Sequence, residues 1–219
     1  MGPESFGIHT NTVRTFCQEI KDVKGLGCEI AIVVGGGNIF RGLNASERGM
    51  DRVTADHMGM MATVINSLAM MDTLEQMGIF TRVMSAVQME DFAEPYIRRR
   101  AVRHMEKGRL VVFAAGTGRP YFSTDTAASL RAMEVNADLM IKATDVDGVY
   151  SSDPQKNDDA EFYSRLTYMD ILTKGLKVID STAVSLLMET KIPLRVVNVC
   201  EPGNLCRVVK GEDVGSLIS

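Results

Sequence analysis

Val33-Val34-Gly35-Gly36-Gly37-Asn38-Ile39-Phe40-Arg41-Gly42 and, further along, Ala114-Ala115-Gly116-Thr117-Gly118-Arg119-Pro120-Tyr121-Phe122-Ser123-Thr124-Asp125 decide the fold. Each follows an apolar run that reads as a buried parallel strand, Glu29–Val34 and Arg109–Ala114, and each leads toward a helical pattern. Glycine lacks a Cβ and lets backbone amides approach an anion closely, and a helix N-terminus adds unpaired N–H donors and the positive end of its dipole. Arg41 adds a forked cationic donor to the first loop. Thr117, Ser123 and Thr124 bring hydroxyls to the second, and Asp125 a carboxylate. One such loop reads as an ordinary strand-to-helix turn. Two in series suggest a donor and an acceptor site, because ligands gather at strand C-terminal ends in open α/β sheets.

Spelling excludes the common nucleotide-binding loops. A dinucleotide fingerprint would need glycine at the sixth position from Gly35, where Phe40 stands, and no stretch spells Gly-x-x-x-x-Gly-Lys-[Ser/Thr].

Outward from the loops, strand and helix alternate. A helix carries Val13, Phe16, Cys17, Ile20 and Val23 and stops at Gly25-Leu26-Gly27; a long helix runs from about Val53 to Met77; Phe80–Ser85 is a strand. An Arg-rich helix follows, with Pro95 expected near its first turn. Beyond the second loop come a helix at Asp125–Glu134 and a strand at Leu139–Ala143, then the turn-rich stretch Thr144–Pro154 and the polar loop Gln155–Glu161. Helices near Tyr168–Thr173 and Ser181–Thr190, a strand at Leu194–Asn198, the segment Asn204–Lys210 and a short strand near Ser216–Ile218 complete the chain. This order predicts an α/β fold: a three-layer αβα sandwich around a mainly parallel sheet. With 219 residues, one domain is expected, divided into halves of about 1–137 and 138–219.

Composition narrows the function. The formal net charge is −4, so no global basic field attracts nucleic acid or an acidic membrane. The one basic cluster, Arg98-Arg99-Arg100 with Arg103 and His104, reads as a solvated helix face. The four cysteines, Cys17, Cys28, Cys200 and Cys206, show no Cys-x-x-Cys spacing; Cys17 falls on a helical apolar stripe and Cys28 opens a strand, which predicts buried reduced thiols. No signal peptide or membrane-spanning stretch is visible, and the cytoplasm is the expected compartment. Met58, Met60, Met61, Met70, Met71 and Met77 read as core or subunit-interface packing rather than a metal box.

Five motifs in this order resemble the amino acid kinase superfamily and, within it, the bacterial uridylate (UMP) kinases. They are Gly35–Gly42; Asp56-His57-Met58-Gly59-Met60; Gly116–Asp125; Lys142–Tyr150 with Asp153-Pro154; and Lys177-Val178-Ile179-Asp180. The likeness runs from about Phe6 to the C-terminus. It implies phosphorylation of UMP by ATP with nucleotide-bound magnesium, giving UDP and ADP, with no metal held by the protein itself. By resemblance Gly36, Asp56 and Thr117, Gly118, Arg119, Pro120, Tyr121, Phe122, Ser123 and Thr124 face UMP. Gly37 and Arg41 face the transferring phosphates, and Thr144, Tyr150 and Asp153 face ATP. Asp125 and Asp180 match central acidic positions, and Lys156 a lysine near the donor phosphates, although Asn157-Asp158-Asp159 departs from the usual continuation. Both glycine loops then belong largely to the acceptor and the transfer point.

Phosphoryl transfer needs alignment and charge neutralisation more than covalent help, which suits these residue types. His57 reads as structural or interfacial rather than as a general base. The resemblance further implies a homohexamer and GTP or UTP effectors. Family members begin with a strand ending in Lys-x-Ser-Gly-Glu, whereas this chain opens Met1-Gly2-Pro3-Glu4-Ser5-Phe6-Gly7-Ile8, like the segment just after it. The expectation is a truncated sequence or gene model lacking that strand and its lysine, with a natural short form as the alternative. Two other readings stay open: a nucleotide-binding regulator without catalysis, and a sister kinase acting on an amino acid or carbamate.

Overall fold

Why the first half of the chain folds around parallel strands is visible in its burial. Every residue of Leu110–Ala114 is buried, as a strand covered on both faces requires. The computed structural model describes residues 7–41, 46 and 49–219. Gly42 at the end of the first loop and the opening Met1–Phe6 lie outside them.

Among the described residues the chain divides into two compact units, Met1–Ala127 and Ala128–Ser219. The first contains α1 (Thr10–Lys24), β1 (Ala31–Val33), α2 (Arg52–Gln76), β2 (Thr81–Ser85), β3 (Glu94–Pro95), α3 (Arg98–Glu106) and β4 (Leu110–Ala114); α4 (Thr124–Val135) begins in it and continues into the second unit. Its strands lie in the order β1-β4-β2-β3, all parallel, with Val33 opposite Phe113 and Met84 opposite Phe113 on the other side. Helix α2 packs on α1, β2 and β4. Its buried residues Ala55, Ala62, Val64, Met70 and Leu74 supply much of the core.

The second unit holds β5 (Met140–Thr144), a β6–β7 ribbon (Val149–Tyr150 and Phe162–Tyr163), β8 (Arg165–Leu166), α5 (Tyr168–Thr173), α6 (Ser181–Thr190), β9 (Leu194–Asn198), α7 (Asn204–Val209) and β10 (Ser216–Ile218). Its four-stranded sheet runs β5-β9-β10-β8, with β9 and β10 antiparallel and the other two pairs parallel. Leu187, Leu194, Val196 and Ile218 are fully buried between this sheet and α6. Tyr168 donates its hydroxyl to the Ile192 carbonyl from the same core, and burial pushes its phenol up to about 12.

The mainly parallel α/β organisation is as expected; among the described residues its hydrogen-bonded strands form two four-stranded sheets and a ribbon. Three local readings change. Pro95 lies in edge strand β3, beside Ser85, and α3 starts only after Ile97. Proline tolerates such an edge because it has no amide to donate. Strand β6 falls within the turn-rich stretch Thr144–Pro154 and β7 just after the polar loop Gln155–Glu161, two-residue strands too short for an alternation to register. Cys28 precedes β1 and is half-buried, and Cys200 is exposed; only Cys17 matches the buried-thiol reading. Arg98, Arg99, Arg100 and Arg103 form an exposed face while Ala101 and Met105 are buried. Among the described residues no helix is long and apolar enough to cross a membrane.

Burial raises the Cys17 thiol to about 11, and its Sγ lies 3.9 Å from the Met70 carbonyl. Thiolate fraction and access both control alkylation, so brief native treatment with iodoacetamide at about pH 8 is expected to label Cys200 and spare Cys17 until denaturant is added. Peptide mass mapping reads the outcome, and early labelling of Cys17 would contradict this core.

Candidate functional site

Helix α2 organises the first unit's site because both glycine loops rest on it. Gly36 is buried where an added Cβ would lie 2.7 Å from the Gly59 carbonyl oxygen and 2.8 Å from Ala62 Cβ. No other residue fits without moving the helix, which is the physical requirement for glycine here. The Gly36 carbonyl accepts from Ile39 and Phe40 amides at 3.0 and 2.9 Å, curling the loop. Asn66 of α2 donates to the Gly35 carbonyl at 2.7 Å and exchanges amide hydrogen bonds with Asn38 at 2.7 and 3.1 Å. Arg41 is exposed and folds back to donate from Nε to the Gly37 carbonyl at 3.1 Å.

The second loop leaves β4 through Ala115 and Gly116, both left-handed with φ of 62° and 57°. A left-handed alanine is uncommon and needs support. Thr63 of α2 provides it: its hydroxyl accepts the Ala115 amide at 2.8 Å and donates to the Met60 carbonyl at 2.7 Å. Gly118 closes the turn onto the Ala115 carbonyl, and a Cβ there would stand 2.9 Å from the Ala86 carbonyl oxygen. Thr117 brackets Arg119, accepting its amide and donating to its carbonyl at 3.2 Å. Tyr121, again left-handed at φ 72°, gives its amide to Asp56 Oδ2 at 2.8 Å. Ser123 then caps α4 by accepting the Thr126 amide at 3.0 Å, which places Thr124 and Asp125 in the first helical turn.

The first unit therefore carries Gly36, Gly37, Arg41, Asp56 and residues 117–125 on one scaffold. Gly35 faces Thr124, whose Oγ1 would lie 3.5 Å from an added Cβ, so the two loops adjoin. His57 is exposed on α2. Met58 and Met61 are exposed as well, while Met70 is buried.

The other expected residues lie in the second unit. Thr144 ends β5, and its carbonyl accepts the Val199 amide at 2.9 Å. Tyr150 stands in β6 with its ring edge-on to Phe162 at 5.4 Å. Asp153 accepts from Lys156 Nζ at 2.8 Å and from the Gln155 amide at 3.0 Å; these contacts hold its carboxyl below the usual range, and the same bond raises the Lys156 ammonium. Asp180 caps α6, accepting the Ala183 amide at 3.0 Å.

Sequence reading missed three residues that build this arrangement: Arg52, Thr63 and Asn66. Arg52 was findable from its four-residue spacing to Asp56. Thr63 and Asn66 carried only a weak signal, single polar side chains among the methionine, alanine and leucine of the middle of α2. Among the described residues, no group of three or more His, Cys, Asp or Glu side chains is placed to hold a metal ion.

The glycine loops, the Asp-Gly turn at Asp147-Gly148 and the fold define the class, and the chain belongs to the amino acid kinase family, whose model matches residues 2–198. Within that class it is similar to the UMP kinase from Bacillus anthracis, at 40% identity and a TM-score of 0.95 over 99% of this chain and 90% of that one. It is also similar to the UMP kinase from Ureaplasma parvum, at 36% identity and 0.93 over 100% and 93%. Uridylate kinase from Archaeoglobus fulgidus matches at 31% identity and 0.76 over 96% and 94%.

Because Thr63 satisfies a buried amide in a strained turn, Thr63→Val removes the acceptor while keeping the shape. Leaving such an amide unpaired costs about 1–3 kcal/mol. Chemical denaturation is expected to show that loss, and unchanged stability would mean the second loop does not depend on α2.

Proposed function

We propose that this chain is a UMP kinase that transfers the γ-phosphoryl group of ATP to UMP, releasing UDP and ADP. The observation that carries the reading is its 40% identity, across nearly its whole length, to a protein of that activity. Local chemistry supports it: two amide-rich glycine loops side by side, a guanidinium at Arg41 and a carboxylate at Asp56 suit a nucleoside monophosphate.

In this reading Gly36, Asp56 and residues 117–124 hold UMP, with Asp56 as acceptor for sugar or base donors. Gly37 and Arg41 neutralise the transferring phosphates. Thr144, Tyr150 and Asp153 hold the ATP base and ribose, and Lys156 approaches the donor phosphates by exchanging its bond to Asp153. Asp125 and Asp180 orient cationic groups rather than abstract a proton, since a UMP phosphate oxygen is already nucleophilic near neutral pH. The phosphate-facing groups are backbone amides and a guanidinium, partners for oxygen anions rather than metal ligands. Magnesium would therefore enter on the ATP phosphates, where it offsets their charge.

The reading extends to cytoplasmic pyrimidine nucleotide synthesis, to a homohexamer and to control by GTP or UTP. Exposed Met58, Met61 and Ile65, spaced along one side of α2, support an interface between copies.

Coupled ADP release with UMP as acceptor tests the activity. Arg41→Ala is expected to lower turnover by about a hundredfold, the scale for losing one charged transition-state contact. Asp56→Ala should weaken UMP about tenfold while changing ATP little, as loss of one charge-assisted hydrogen bond predicts. UMP binding without turnover would favour the regulator, and preference for a carbamate or amino acid acceptor would favour a sister kinase.

A further inference from the structure

Arg52 occupies a position that local helix physics disfavours. It is the first residue of α2, where the positive end of the helix dipole repels a cation. Its partner Asp56 lies four residues toward the C-terminus, the less favourable order for a charged pair on a helix. Neighbouring Asp51 already caps the helix, accepting the Thr54 amide at 2.8 Å and its hydroxyl at 3.0 Å, so the end needs no further group. When a residue breaks a local rule, the compensation usually lies in tertiary structure.

Here the compensation is the second glycine loop. Arg52 Nε donates to both Asp56 oxygens, at 2.8 Å to Oδ2 and 3.0 Å to Oδ1. Asp56 Oδ2 also accepts the Tyr121 amide at 2.8 Å, and the Arg52 guanidinium lies 5.5 Å from the centroid of the Tyr121 ring. One arginine thus touches both the carboxylate and the aromatic residue whose left-handed backbone that carboxylate holds. An ordinary surface ion pair would contribute little. This one differs because the Asp56 side chain is only 15% exposed and its amide partner comes from 65 residues away.

From the closed triangle of Arg52, Asp56 and Tyr121, we infer that Arg52 is a positioning residue for the acceptor: it orients the Asp56 carboxylate and, through it, the Tyr121–Thr124 turn. Oδ2 is committed to the protein. Oδ1 carries the longer Arg52 bond and keeps lone-pair capacity for a donor from the ligand. Removing Arg52 frees the carboxylate to rotate and loosens the turn, so the loss falls on acceptor affinity. The inference rests on the assignment of Asp56 to UMP.

Isothermal titration with UMP, and separately with a non-hydrolysable ATP analogue, tests it on the full chain carrying Arg52→Ala, Arg52→Lys, Asp56→Ala or Arg52→Ala with Asp56→Ala. Thermal melting checks each variant. Arg52→Ala is expected to weaken UMP by about tenfold and the ATP analogue by less than about twofold. In the Asp56→Ala background the same change should cost less than about twofold, since a residue acting through another has no effect once that other is gone. Arg52→Lys keeps the charge but lacks the Nε–H that both Asp56 oxygens accept, so it should weaken UMP by about threefold, and it carries the test if the alanine variant does not fold.

Full UMP affinity in Arg52→Ala or Arg52→Lys, an equal loss with and without Asp56, or an equal loss for both nucleotides would overturn the positioning role. If Asp56→Ala itself leaves UMP binding unchanged, the assignment of Asp56 fails instead.

Discussion

The absence of a side chain at Gly36 is the constraint on which the first unit depends. With no Cβ, the loop backbone lies directly against Gly59 and Ala62, and α2 sits close enough for Asn66 and Thr63 to reach two separate loops. A methyl group there would push helix and loop apart. Asn66 would lose the Gly35 carbonyl, and Thr63 would lose the Ala115 amide that it shields in a buried, left-handed turn. One close contact thereby shapes both glycine segments, although they are far apart in the chain.

Most residues expected to meet ligands already have protein partners. Arg41 returns to Gly37, Asp56 engages Arg52 and Tyr121, Thr117 brackets Arg119, Ser123 caps α4, Asp153 holds Lys156, and Asp180 caps α6. These bonds have two consequences. Where the partner is backbone, as for Ser123 and Asp180, the bond fixes an element end, and a ligand can use only the remaining lone pairs. Where both partners are exposed charged groups, as for Asp153 and Lys156, the pair is weakly held and can exchange for phosphate at little cost. Rigid contacts therefore lie on α2, on its loops and at the start of α6, while the exchangeable pair lies in the turn after β6.

Much of this was legible without coordinates. Apolar runs located β1, β4, β5 and β9, the first two bounded by glycine, and helical periodicity located α1, α2, α4 and α6 to within a few residues. Long elements repeat their pattern often enough to be read. The ribbon β6–β7 and strands β3 and β8 have two residues each, too few for an alternation, and Pro95 favoured a helix start that strand pairing displaced. At the candidate site, residue types and order were readable because glycine, hydroxyl and carboxylate side chains serve phosphate chemistry. Their supports were not, since Thr63 and Asn66 look like ordinary helix residues.

By itself the sequence determined the succession of strands and helices, the two glycine segments and the chemical kinds of side chain beside them, because these depend on local spacing and on intrinsic conformational preference. Only the tertiary structure decided that both segments share α2, that Asp56 is held by Arg52 and Tyr121, and that the strands divide between two four-stranded sheets. Those outcomes depend on contacts between residues tens of positions apart. Van der Waals contact at Gly36 and hydrogen-bond geometry at Thr63 and Asp56 select them, and neither leaves a period in the chain.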